Sequence, residues 1–170
     1  MSNFEVNYRL FSECIDKIVY NIEKRKEQYD VIIAPARGGL VPATVLSHIL
    51  NVPLWPILWS TRDFIRREPI PAGLADFLTD KQKVLIVEDI VDSGKTISEL
   101  TVVFQQLFEE DPLEIDTACI VFNPEQSHHQ VTYYGVMLAG GSDTAYTDFF
   151  WEKRLSDGFE NKYGNIPEKY

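Results

Sequence analysis

Val84-Leu-Ile-Val-Glu-Asp-Ile-Val-Asp-Ser-Gly-Lys-Thr96 reads as a buried strand, an acidic edge and a turn that opens a helix. Lys83 to Val87 is apolar after its first residue and does not alternate with polar positions, which marks a strand covered on both faces. It runs straight into Glu88 and Asp89. Past the turn, Ile97, Leu100, Val103, Phe104 and Leu107 recur at helical spacing, so a helix is predicted over 96–110.

Working outward, the same alternation of strand and helix continues. Upstream, Phe11, Cys14, Ile15, Ile18, Val19 and Ile22 predict an amphipathic helix over 7–28. Asp30 to Pro35 is a short apolar run ending before Gly38-Gly39, a strand followed by a turn. Leu40 to Leu50 reads as a helix with Pro42 in its first turn, where a missing N–H costs nothing. Residues 53–59 read as a strand whose prolines place it at an edge or a strand start. Residues 60–82 are polar, with Arg62, Arg66, Arg67, Pro69, Pro71 and Gly73, and form a loop long enough to suggest a functional role. Downstream, 115–122 and 131–138 are two more strands. There is no internal repeat. The expected fold is α/β, a mostly parallel twisted sheet with helices on both faces. Such sheets bind ligands beyond the carboxyl ends of their strands.

The bulk properties set limits on partners. The chain has 170 residues, enough for one domain with one core, and a formal net charge of −10. Its isoelectric point is near 4.7. Binding to nucleic acid or to an anionic membrane relies on Lys and Arg, so neither partner is expected. No apolar run approaches the length of a membrane span, and Met1 to Leu10 does not have the form of a signal peptide. Cys14 and Cys119 are too far apart to suggest a metal site and read as reduced packing residues of a cytoplasmic protein.

The turn after the third strand has two chemically different halves. Ser93-Gly94-Lys95-Thr96 can present backbone N–H groups, hydroxyls and a helix start to a phosphate. Glu88, Asp89 and Asp92 would repel a phosphate, and suit sugar hydroxyls, a divalent cation or a developing positive charge. A sugar phosphate satisfies both halves. The triphosphate P-loop matches only in its last residues, because its first glycine would fall at Asp89. A solvated acidic turn before a capped helix accounts for Ser93 or Thr96 alone, but not for the whole order of residues.

Val84 to Thr96 resembles the phosphoribosyl-pyrophosphate signature of type I phosphoribosyltransferases along its whole length. Ala34-Pro-Ala-Arg-Gly-Gly-Leu-Val-Pro42 resembles that family's pyrophosphate loop in sequence and position. Phe150-Trp151-Glu152 is similar to a late motif of the bacterial xanthine-guanine and hypoxanthine members. The likeness covers roughly residues 8–152. It implies a single domain over 1–152, a small hood built from 60–82 and 139–152, and a tail over 153–170. It also implies that Glu88 and Asp89 bind the ribose hydroxyls directly or through magnesium. Ser93, Gly94, Lys95 and Thr96 would take the 5-phosphate, and Arg37 and Gly38 the pyrophosphate. Asp92 would sit by the ring nitrogen that attacks the sugar, so Asp92 and Arg37 are the catalytic candidates. The peptide at the pyrophosphate loop is often cis in relatives. Relatives commonly form homodimers or tetramers.

The likeness is weaker at the base. Asn123, in Val121-Phe-Asn-Pro124, stands where these purine enzymes carry a lysine that reads the purine oxygen. Tyr146 aligns with the aromatic residue that stacks on the base. The expected substrates are phosphoribosyl pyrophosphate and a nucleobase, most simply a 6-oxopurine. Two alternatives stay open: transfer to a different acceptor, and a non-catalytic regulator that senses phosphoribosyl pyrophosphate. Arg66, Arg67, His128 and His129 read as solvated.

Overall fold

The computed structural model describes residues 4–59, 70–78, 82–109, 112–138 and 147–152. In chain order the elements are β1 (Phe4–Val6), α1 (Tyr8–Arg25), β2 (Val31–Ala36), α2 (Leu40–Leu50), β3 (Leu54–Leu58), α3 (Ala72–Phe77), β4 (Lys83–Val91), α4 (Lys95–Leu107), β5 (Glu114–Phe122), β6 (Tyr133–Met137) and β7 (Thr147–Phe149). A five-stranded sheet runs in the order β3-β2-β4-β5-β6, and every neighbouring pair is parallel.

The central position of β4 follows from its composition. Val84 to Val87 are completely buried, so both faces of the strand are covered. On one face, Leu85 and Val87 pack with α1 and α2 residues such as Ile15, Ile18, Ala43 and Leu46. On the other, Val84 and Ile86 pack with Leu74 of α3 and with Ile97, Leu100 and Phe104 of α4. Each such buried aliphatic or aromatic side chain contributes roughly 1.5–3 kcal/mol. Among the described residues β3 pairs only with β2, so Pro56 sits on an edge strand, where its missing N–H breaks no ladder bond.

Local signals account for the ends of α1. The Asn7 side chain caps it by accepting from Leu10 N at 2.9 Å, and Lys26 closes it in the left-handed region at φ 56°. Four expectations need adjustment. α1 ends earlier than 7–28 implied. The 60–82 segment contains the short helix α3. β4 continues through Glu88 and Asp89 to Val91, since β5 keeps pairing with it past the apolar run, whereas the pairing with β2 ends at Ile86. The two-stranded parallel sheet of β1 and β7 was not anticipated, because three residues per strand carry no readable period. Residues 60–69, 79–81, 139–146 and 153–170 lie outside the described residues, and with them most of the expected hood and the whole tail.

A polar network closes the amino-terminal end of the sheet. Tyr29 Oη donates to Asp116 Oδ2 at 2.7 Å and lies 3.1 Å from Tyr133 Oη, while Thr132 Oγ1 donates to Asp116 Oδ1 at 3.1 Å. Lys83 Nζ lies 2.5 Å from Glu27 and 3.4 Å from Asp116. Burial first, then the bonds to Tyr133 and Asp116, hold the Tyr29 phenol far above its ordinary range. Cys14 and Cys119 are buried and form no disulfide. No helix among the described residues is long and apolar enough to cross a membrane.

Candidate active site

The carboxyl ends of β2 and β4 lie side by side and build one cavity of about 950 Å³. Arg37, Gly38, Glu88, Asp89, Asp92 and Ser93 to Thr96 all line it. Two sequence segments some fifty residues apart in number are thus brought to one wall, because parallel strands put their following turns on the same side of the sheet.

The β2 turn is shaped by contact with β4. The Ala36–Arg37 peptide is cis. A side chain on Gly38 would lie 2.5 Å from Asp89 Cγ, and one on Gly39 would lie 2.9 Å from the Pro35 carbonyl and collide with that of Val87. The two glycines therefore let the loop backbone approach the acidic pair directly.

Glu88 and Asp89 lie in the carboxyl-terminal half of β4 and are 9% and 8% exposed. Burial and then the charge of Asp89 hold the Glu88 carboxyl well above the ordinary carboxylate range. Asp89 Oδ1 accepts from Ile90 N at 2.7 Å. Two adjacent buried acids on the wall of one cavity are suited to hydroxyl donors or a cation. Among the described residues no group of three potential metal ligands forms. An ion here would take most of its coordination from ligand oxygens and water, which is how magnesium is commonly held.

The turn that leads into α4 begins at Asp92. Gly94 adopts φ 74°, and α4 starts at Lys95 with no side-chain cap. The first N–H groups of the helix are thus directed at the cavity side of the turn, where an anion would satisfy them. Ser93 Oγ accepts weakly from Lys95 N at 3.4 Å. The Lys95 side chain is exposed and lies 4.0 Å from Glu99, a pair of little energetic consequence.

Behind this turn lies a support that sequence reasoning missed. The segment after β5 grips this turn through Asn123 N to Val91 O at 2.9 Å and His128 N to Ser93 O at 3.2 Å. A Cβ on Gly94 would meet His129 Cβ and Ser127 Oγ, each at 2.7 Å. His129 is therefore half-buried rather than solvated, and burial lowers its imidazole pKa from 6.5. His128 is exposed, as expected. Asn123 is 2% exposed and stands behind Asp92, outside the cavity lining.

The opposite wall comes from Trp59, Thr147, Phe149, Trp151 and Glu152. Trp59 Nε1 donates to Glu99 Oε2 at 3.3 Å. Phe149 stacks on Trp151 with ring centroids 4.7 Å apart. Thr147 Oγ1 and Trp151 Nε1 are buried with no hydrogen-bond partner. The motif around Trp151 was legible, but the contribution of Thr147 and Trp59 to the same wall was not. Tyr146, Gly140-Gly141, Ser60 to Arg62, Arg66 and Arg67 lie outside the described residues.

The comparisons with known proteins agree with this geometry. The family model of the phosphoribosyl transferase domain matches residues 7–140. A xanthine-guanine phosphoribosyltransferase of Idiomarina loihiensis is 36% identical over 74 residues, 42% of this chain and 46% of the relative. An orotate phosphoribosyltransferase of Bartonella henselae is 36% identical over 85 residues, 49% of this chain and 38% of the relative. The chain thus spans less than half the length of these two curated relatives. A solved purine phosphoribosyltransferase from Pyrococcus horikoshii superposes with a TM-score of 0.70 at 29% identity, covering 91% of this chain and 96% of its own. By the length of the family match and by the fold, this chain belongs to the phosphoribosyl transferase domain family.

Proposed function

We propose that the chain transfers the phosphoribosyl group of 5-phosphoribosyl-1-pyrophosphate to a nucleobase, with release of pyrophosphate. The observation that carries this reading is the meeting of three different chemistries in one cavity: the Arg37–Gly38 loop, the buried Glu88–Asp89 pair and the uncapped start of α4. The ligand has matching parts in the same order: a pyrophosphate, a diol and a 5-phosphate.

In this reading Arg37 and the backbone at Gly38 hold the pyrophosphate and offset the charge that builds on it as it leaves. Glu88 and Asp89 take the ribose hydroxyls, and are the residues that would hold magnesium. When bound, that ion would neutralise charge on the leaving group. Ser93, Gly94, Lys95 and Thr96 anchor the 5-phosphate by backbone N–H groups and hydroxyls. Asp92, between sugar and phosphate sites, faces the incoming base and accepts or orients its ring proton. The transition state resembles an oxocarbenium ion, so the nearby carboxylates favour it over the neutral sugar.

A 6-oxopurine is the favoured base. The purine enzyme of Pyrococcus horikoshii and the xanthine-guanine relative support it. An orotate relative at the same identity makes orotate the first competitor. The test is incubation with phosphoribosyl pyrophosphate, magnesium and a panel of xanthine, guanine, hypoxanthine, adenine, orotate and uracil. Pyrophosphate release with an oxopurine is expected. Release with orotate alone overturns the purine assignment. Tight binding of phosphoribosyl pyrophosphate with no release on any base favours a sensing role, to which the neutral residue at Asn123 points.

A further inference from the structure

Every polar group of Asn123 shown by the structure is engaged within the protein. Its Nδ2 donates to Asp92 Oδ1 at 3.1 Å, and its Oδ1 accepts from Glu125 N at 3.3 Å. Its backbone N donates to Val91 O at 2.9 Å, and its backbone O accepts from Ser127 N at 3.0 Å. The side chain is 2% exposed. It therefore grips the Asp92 turn twice, once by the backbone of the preceding residue and once by the carboxylate itself.

This arrangement is unlike that of a residue reading a ligand. A side chain that recognises a base has to present a donor or acceptor to the cavity, and Asn123 is absent from the cavity wall that Asp92 lines. Its amide also has two partners at opposite ends, so it cannot turn toward a ligand without leaving Asp92 or Glu125 N unpaired. A buried group losing its partner carries a full desolvation penalty. What the contact does achieve is a fixed orientation. With Oδ1 held by the Asn123 amide, the rotation of Asp92 is restricted and its carboxylate is kept on the cavity wall that it lines.

We infer that Asn123 is a positioning residue for Asp92: it orients the carboxylate toward the ring N–H of the incoming base and does not itself contact the base. This rests on the transferase reading above. It moves the problem of base selection away from position 123.

A double-mutant cycle tests it on the full chain with the preferred base. Asn123→Ala is expected to lower kcat by about tenfold or more, the effect of a lost hydrogen bond to a charged group. KM for the base and for phosphoribosyl pyrophosphate should stay within about twofold. In an Asp92→Ala background the same substitution should cause no further loss, because its effect passes through Asp92. A raised base KM with kcat retained would mean that Asn123 reads the base after all. An equal kcat loss in both backgrounds would show a general structural role. Wild-type chain that is inactive on every base removes the transferase reading, and this role with it. An active wild type with either of the two contrary patterns removes this role alone. If Asn123→Ala does not fold, NMR on the wild type and on Asp92→Ala decides. The Asn123 side-chain amide protons should exchange slowly in the former and rapidly in the latter, and no difference overturns the contact.

Discussion

Gly38 and Asp89 are in direct contact across the β2 and β4 strand ends, so that a Cβ on Gly38 would lie 2.5 Å from Asp89 Cγ and 2.7 Å from its Oδ1. The Arg37–Gly38 loop and the acidic pair are therefore one surface. Gly38→Ala should displace the Asp89 carboxylate, which is a side-chain end and can move, rather than unfold the strand. The expected result is phosphoribosyl pyrophosphate affinity lower by about tenfold or more, with the melting temperature little changed. Calorimetric titration beside a thermal melt measures both. Unchanged affinity would separate the loop from the acidic pair.

Gly94 has a different problem, because both its backbone and its surroundings exclude a side chain. At φ 74° a non-glycine residue is strained, and the added Cβ would lie 2.7 Å from His129 Cβ and from Ser127 Oγ. Gly94→Ala should cost about 1–3 kcal/mol of stability and also weaken phosphate binding, since the turn and its support must part. Urea unfolding in the presence and absence of inorganic phosphate is the measurement. A variant as stable as the parent would show that the 123–130 segment does not support the turn.

At the other end of the sheet, Tyr29→Phe removes one hydroxyl that bridges Asp116 and Tyr133. The cost should be about 1–3 kcal/mol, for loss of a hydrogen bond to a charged group in a half-buried network. Transferase activity should not change, because the carboxyl ends of the strands are untouched. Lost activity at full stability would mean that the two ends of the sheet are coupled.

The sequence disclosed most of the site because chemistry and topology were written in the same residues. An apolar run ending in Glu88-Asp89 and followed by Ser93-Gly94 shows a strand, its carboxyl end and a helix start together, and that locates the candidate site. Arg37 and Gly38 were legible for the same reason. What stayed hidden depends on contacts distant in sequence. Nothing near His129 announces that it packs on Gly94, 35 positions earlier. The role of Asn123 was equally unreadable, because its residue type says what it can bond but not that Asp92 stands beside it. β1 and β7 were invisible on length alone.

The half-buried His129 gives the protein an acid-sensitive contact behind the turn that leads into α4. Burial lowers its pKa below the ordinary 6.5, so the folded chain takes up this proton less readily than the unfolded chain. The sign follows from linkage. A depressed folded pKa gives stability that is present above 6.5 and is lost as the pH falls through the folded value. His129→Gln keeps a polar side chain of similar size and removes the titration. The wild type should therefore lose more stability than the variant between about pH 6.5 and pH 5, while the two show parallel curves above about pH 7. Because His129 packs on Gly94, acid should also reduce inorganic phosphate affinity more in the wild type than in the variant. Melting temperatures and phosphate titrations across that range give both comparisons. Identical acid slopes would place the imidazole in solvent and overturn this prediction.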